Sequence, residues 1–360
     1  MLNTLKTIIL FVIMLSSIAI VHELGHLLVA KLFNVYCGEF SIGMGPKLYS
    51  KKFKETEYSI RAFLIGGYVS MAGEGDNELD DGVPFERTLK GIAKWKQLLI
   101  MFAGIFMNFV LALVIYSLLL LNIGTYSIAN KPIIDSIQND MPAFNSGLQV
   151  GDIVEKVTLD NGMSCEPDTY SELTTFLTAY YEGNGSWHMS VNRDGQSFNY
   201  DVAPAYYELE DRYIIGITFS NAPVKTVDIN IFNCFKYGFL YMIDIIKMLI
   251  VSFVALFRGI GLKNMSGPIG VYNIVEESIE YGFGYYIELL ALISLNVAIF
   301  NAIPVPAFDG GRAFMLLIEV IIGKPIPKKI ESFVLTASFA LILMLMFLVS
   351  YNDIIKIVGG

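Results

Sequence analysis

Four stretches of this chain, at about 5–30, 97–121, 285–305 and 331–350, are apolar over the length a helix needs to cross a bilayer. That restricts the fold more than any other feature, because backbone in hydrocarbon must satisfy its own hydrogen bonds. The 360 residues are 54% hydrophobic, with a mean hydropathy of +0.55, too apolar for an ordinary soluble protein of this size. The expected class is a polytopic α-helical membrane protein with four transmembrane helices, in contact with the lipid bilayer. The first apolar run follows Lys6 and could pass for a signal peptide. No small-residue cleavage site precedes its histidines, so it reads as a retained helix, with residues 1–35 as the first segment.

A fifth apolar segment, 230–257, is interrupted by Lys236, Asp244 and Lys247 at roughly helical spacing. It reads as an amphipathic helix on the membrane surface, within a surface helix and loop covering 230–282. A fifth span is the alternative. Net charge is −9, which gives no electrostatic footprint for nucleic acid. Cys37, Cys165 and Cys234 lie far apart and match no metal or disulfide pattern.

Between the second and third spans, residues 125–222 form a polar, acidic block of short alternating runs such as "DIVEKV" and "SFNYDV". Arg193-Asp194-Gly195 is a hairpin signal, and "SELTTFLTAYY" is a helical pattern with Ser171 as a possible cap. This is one small domain. The segment 36–96 and its flank are basic: 31–96 holds ten lysines and arginines, and a short loop after Asp309 adds Arg312, Lys324, Lys328 and Lys329. The positive-inside rule places 31–96 and 310–330 in the cytoplasm and the acidic domain outside. Within 38–70, strand-like alternation is broken by glycines. This is either a small sheet dipping into a protein-lined cavity or a plain cytoplasmic hairpin.

The stretch "IAIVHELGHLLVA", 18–30, places His22, Glu23 and His26 inside the first apolar helix. Ionisable groups at that depth are costly and usually functional. His22 and His26 are four apart, so they share a helix face and can hold one metal ion. Glu23, beside the first, can take a proton from water; this is the H-E-x-x-H zinc-hydrolase arrangement. A third ligand must come from elsewhere. The best candidate is Asp309 in "NAIPVPAFDGGR", at the end of the segment 283–312. There Pro304 and Pro306 break the helix, and Gly310 and Gly311 allow tight packing. If 230–257 crossed the membrane, Asp309 would end on the far side from the histidines. One shared site therefore requires four spans. His188, the third histidine, reads as an ordinary strand residue.

With these residues in place, the sequence resembles the site-2 protease family, the M50-like intramembrane zinc metalloproteases. It is most similar to their bacterial RseP/RasP-type branch with one PDZ domain. The resemblance rests on "HELGH" at 22–26, "GGYVSM" at 66–71, "SGLQVGDIVEKV" in the polar block, "SGPIG" at 266–270 and "SLNVAIFNAIPVPAFDGGR" at 294–312. It implies Zn2+ held by His22, His26 and Asp309, with Glu23 as catalytic acid/base. It also implies Asn296 and Asn301 as substrate-contacting groups, and Gly66, Gly67 and Tyr68 in a re-entrant β-loop beside the site. Residues 125–222 would be an extracytoplasmic PDZ domain, acting as a size filter or as a peptide-binding groove. Implied substrates are single-span membrane proteins, such as pre-trimmed anti-sigma factors and signal-peptide remnants, cut in regulated intramembrane proteolysis at a bacterial cell membrane. Two departures are visible: Phe308 stands where the family has leucine, and "AGIFMN" at 103–108 has Ile105 in place of a proline. The alternatives are a membrane metal transporter, which needs no glutamate beside a ligand, and a catalytically silent PDZ adaptor, which needs no complete site.

Overall fold

The computed structural model describes residues 2–74, 82–128, 131–181, 183, 185–207, 212–220, 225–257 and 267–359. The chain divides into two compact units, Met1–Leu119 with Met265–Gly360, and Leu120–Asn264. Its helices are α1 (Leu2–Leu32), α2 (Lys94–Ile123), α3 (Pro142–Ser146), α4 (Tyr170–Tyr180), α5 (Cys234–Phe257), α6 (Pro268–Tyr281), α7 (Phe283–Ala302), α8 (Asp309–Ile322) and α9 (Lys328–Gly359). Among the described residues, α1, α2, α5, α7 and α9 are long and apolar enough to cross a membrane. The chain is a polytopic membrane protein. Exposed side chains such as Phe106, Leu118, Phe333, Phe339 and Phe347 fit helices whose outer flanks meet lipid rather than water.

In the first unit α1 is the axis. Its N-terminal half packs with α6 and α7 through Met14, Ile18, Val275, Tyr286 and Leu290, and the Tyr286 hydroxyl donates to the Leu10 carbonyl at 2.9 Å. Its C-terminal half packs with α2 and two long strands, β1 (Cys37–Phe53) and β2 (Thr56–Met71), through Leu27, Ala30, Val35, Phe40, Val69 and Ile100. At the α1–α2 crossing, a Cβ on Gly25 would run into the Ala103 carbonyl, so only glycine permits this approach.

The two strands pair with each other twice. Phe40 faces both Val69 and Tyr58, Ser41 faces both Tyr68 and Ser59, and Lys51 faces Tyr58. Each strand therefore folds back within itself, giving four rows in the order 47–53, 56–61, 37–42 and 67–71. The bends need left-handed backbone, supplied by Gly43 at φ 84° and Gly66 at φ 81°. The row 67–71 is an edge.

Two segments differ from their sequence reading. The residues after Asp309, expected as a short loop, begin with α8, whose apolar positions bury Ala313 and Leu316 and which stops at left-handed Gly323. Fourteen residues rise about 21 Å, too short to span the bilayer. The segment 230–282 also is not one helix and a loop. α5 belongs to the second unit, whereas α6 belongs to the first and packs on α1 and α7. Asp353 of α9, only 4% exposed, accepts from the Gly267 and Gly270 amides at 2.8 and 2.9 Å and fixes the start of α6.

The second unit is small and mixed. Its strands are β3 (Thr125–Ile128), β4 (Ile134–Ile137), β5 (Ile153–Leu159), β6 (Ser164–Cys165), β7 (Trp187–Arg193), β8 (Gln196–Val202), β9 (Ala205–Tyr207), β10 (Arg212–Ile214), β11 (Ile217–Phe219) and β12 (Lys225–Asp228). A four-stranded sheet β6-β5-β7-β8 packs with α4 around Val154, Val157, Leu173, Phe176, Met189 and Val191. The expected hairpin is β7–β8, with Asp194 and Gly195 at positive φ. The cap of α4 is Thr169 rather than Ser171: its hydroxyl accepts from the Glu172 amide, while Glu172 accepts from the Asp168 amide. Asp152 is fully buried and held by Arg193 at 2.6 and 2.8 Å. His188 lies on β7, as expected, between Asp201 and Asp160, both at 2.6 Å. Those two carboxylates, Asp201 first, push its pKa up.

Within this unit α5 is held near both of its ends. The Tyr237 ring lies tilted and the Tyr241 ring edge-on to Tyr126 of β3, and the Val251 carbonyl accepts from the Tyr180 hydroxyl of α4 at 3.3 Å. Phe232 and Phe235 just before and inside its start remain exposed.

Candidate metal and catalytic site

His22 and His26 lie one helical turn apart on α1, so both imidazoles leave the same face. α7 stops at Ala302, and the link through Pro304 and Pro306 turns the chain into α8, whose first residue is Asp309. Asp309 Oδ2 lies 2.9 Å from His22 Nε2 and 3.2 Å from His26 Nε2, and the two Nε2 atoms are 3.2 Å apart. The three side chains are about 9–17% exposed. Among the described residues this is the one group of three such side chains able to hold a metal ion.

The donor set fits zinc. Two imidazoles and a carboxylate are one of the common catalytic ligand sets, and a tetrahedral site with bonds near 2.0 Å separates its ligand atoms by about 3.3 Å. The observed spacings are close to that. At most two of these three contacts can be hydrogen bonds, since each Nε2 has at most one proton to donate and the carboxylate has none, whereas one ion shared by the three atoms accounts for all of them.

Glu23 follows His22 and is held from the sheet. The Val69 amide donates to Glu23 Oε2 at 3.1 Å. Val69 lies on the edge row 67–71, so its amide points out of the sheet, and by strand alternation Gly67 shares that edge. A Cβ on Gly67 would stand 3.7 Å from Glu23 Cγ. Gly66 supplies the bend, and the Tyr68 hydroxyl accepts from Arg61, which also binds Glu39.

The other named positions fall at differing distances from this centre. Asn301 is in the last turn of α7, where its carbonyl and that of Ala302 crowd Gly310; Val305 crowds Gly311 in the same way. The glycine pair thus seats α8 against the end of α7 and so sets the position of Asp309. Asn296 turns back on its own helix, donating to the Leu292 carbonyl at 3.0 Å. Arg312 forms an ion pair with Glu74, which joins α8 to the end of β2, and Lys94 pairs with Glu319 at 2.6 Å.

Three participants on α2 were not singled out from the sequence. The Ile100 carbonyl accepts from His26 Nδ1 at 2.7 Å, Gly104 faces both imidazoles, and the Asn108 amide meets His22 Nδ1 at 3.2 Å. They recur every fourth residue, a signal hidden inside an otherwise apolar run. α2 is continuous through Ile105, so the missing proline leaves no break. A Cβ at 104 would overlap both rings. Gly104→Ala should therefore displace the histidines and lower bound zinc, read by metal analysis of the purified protein.

This arrangement is that of a membrane-embedded zinc metallopeptidase, and the chain belongs to peptidase family M50, whose model matches residues 10–345. It is similar to a protein of Clostridium acetobutylicum named as a candidate zinc metalloprotease, 32% identical over 97% of each chain. It is similar also to a like-named protein of Clostridium perfringens, 34% identical over 94% of this chain and 96% of that one. The regulator of sigma-W protease RasP of Bacillus subtilis is 28% identical over 97% and 98%. The chain is a zinc metalloprotease of the site-2 protease class, a hydrolase acting in the membrane.

Proposed function

We propose that the enzyme cleaves transmembrane segments of single-span membrane proteins, with His22, His26 and Asp309 holding the zinc and Glu23 acting as acid and base. The observation that carries this reading is the convergence of those three donors beside a glutamate whose Oε2 is fixed by the Val69 amide. When bound, zinc acidifies water and polarises a carbonyl. Glu23 keeps Oε1 for the proton: it accepts one from the attacking water and returns it to the leaving amine. A helical substrate hides its peptide bonds and must unwind first. The edge at Gly67 and Val69 offers backbone to an extended segment, and the absence of a side chain at Gly66 and Gly67 lets it come close to Glu23. Asn301 and Asn296 line the α7 side of the substrate path, and Tyr68 braces the edge from behind.

The β1–β2 sheet is re-entrant in this reading. The Ser16 hydroxyl, at the middle of α1, donates to the Leu64 carbonyl, so the strand bend reaches mid-helix depth. The basic flanks put the site toward the cytoplasm, and the acidic 125–222 domain, read as a PDZ domain, outside. α5 then lies on the outer surface. A spanning α5 would carry Val251 about 26 Å from Cys234, across most of the hydrocarbon core, yet Val251 is bonded to α4 of the polar, acidic domain. Substrates of the anti-sigma or signal-peptide-remnant kind fit such a site. RasP is named for regulation of sigma-W, which favours the former.

Purified enzyme in detergent should cut a single-span test protein, stop when a zinc chelator is added, and resume with added zinc. Cleavage indifferent to the chelator would overturn the reading. For topology, single cysteines at Lys52 and Lys328 should label only after the inner face is opened, and one at Asp194 should label from outside. One at Gly261, a position outside the described residues, should also label from outside. Inner labelling there would restore a fifth span.

A further inference from the structure

The zinc reading needs both histidines to present a bare Nε2, so each must carry its proton on Nδ1. For His26 the partner settles this: the Ile100 carbonyl, 2.7 Å from Nδ1, can only accept. For His22 the partner is the Asn108 side chain, 3.2 Å from Nδ1. An amide can turn either its oxygen or its nitrogen toward the ring, and the two ends have the same shape. With the nitrogen toward Nδ1, the His22 proton would sit on Nε2 and block the metal face. With Oδ1 toward Nδ1, the ring is locked in the ligating tautomer.

We infer that Asn108 is a positioning residue which, through Oδ1, holds His22 in the Nδ1–H tautomer and fixes its ring toward the metal. The inference rests on the zinc-site reading above. Asn108 is fully buried, and its Oδ1 as placed away from His22 has no partner, so the polar amide is not there to serve another contact through that atom. Its position is fixed from α7: the Ser294 hydroxyl, itself fully buried, donates to the Asn108 backbone carbonyl at 3.0 Å. Residues 100, 104 and 108 then form one functional face of α2. The first holds His26, the second clears space for both rings, and the third holds His22. An acceptor behind a metal-binding imidazole orients the ring and raises its basicity.

The test measures zinc affinity of the purified full-length protein by competition with a chromophoric chelator. Asn108→Leu, which keeps the branched shape but removes the acceptor, should weaken zinc about 10–100-fold. Asn108→Asp should stay within a few-fold of the parent, because its carboxylate accepts the same Nδ1 proton. Packing alone would give the opposite order, leucine tolerated and a buried aspartate not. If the leucine variant misfolds, Asn108→Ala carries the same expectation without added bulk. His22→Ala is the control and should lose tight zinc. If His22→Ala loses zinc but the leucine and alanine variants bind as the parent does, the Asn108 role is overturned and the zinc site stands. Equal weakening by leucine and aspartate overturns it too. Parent-like affinity in His22→Ala would instead overturn the zinc site itself.

Discussion

Glu23→Gln should stop proteolysis while leaving zinc bound. The amide keeps the size of the carboxylate and can still accept from the Val69 amide through its oxygen, so the contact that orients residue 23 survives. His22, His26 and Asp309 are untouched. What is lost is the ability to take a proton from water and give it to the departing amine. General acid–base groups contribute about 10²–10⁴-fold, and in the proposed mechanism one residue serves both halves of the reaction, so the loss should lie at or beyond the upper end. The measurement pairs turnover of a single-span substrate with zinc content of the same preparation. Normal turnover in the variant would sink the role of Glu23. Loss of zinc together with activity would show that Glu23 supports the metal rather than the proton transfer.

Much of this site could be read from the chain because it is written in side chains at helical spacing. His22 and His26 share a face by their separation alone, and Asp309 stands out as an acidic group between a proline-broken apolar run and two glycines. The hairpin at Asp194–Gly195 and the strand character of 38–70 were legible for similar reasons. The contributions of Ile100 and Val69 were not, because each acts through a backbone atom that any residue type could supply. Gly104 acts through an absence of atoms, and Asn108 is a polar residue in an apolar run whose partner lies on another helix. The segment after Asp309 reads as a short loop between two apolar runs, yet its apolar positions recur at helical spacing and it forms α8. The double pairing of β1 with β2 depends on where two strands fold back, and alternation has the same period on either side of a bend.

Asp309→Ala should empty the site. Of the three donors, Asp309 is the one that reaches from α8 to both histidines, at 2.9 and 3.2 Å, and it is the only anionic one. Two neutral imidazoles on one helix face make a weak chelate, so zinc should fall well below one ion per chain after dialysis, and cleavage should fall with it. A second effect runs the same way. Asp309 stands in the first turn of α8, where a negative charge is favourable by about 0.3–1 kcal/mol, so α8 should also start less firmly. The two effects separate under added zinc. A bound ion raises the melting temperature in proportion to the logarithm of its concentration over Kd. The parent should therefore gain stability as zinc is titrated in, while Asp309→Ala should start slightly lower and stay flat. Asp309→Asn keeps the size of the side chain and removes the charge, and should behave like alanine toward zinc. A full complement of zinc in Asp309→Ala would mean that another group completes the site, and the assignment of α8 as the carrier of the third ligand would fall.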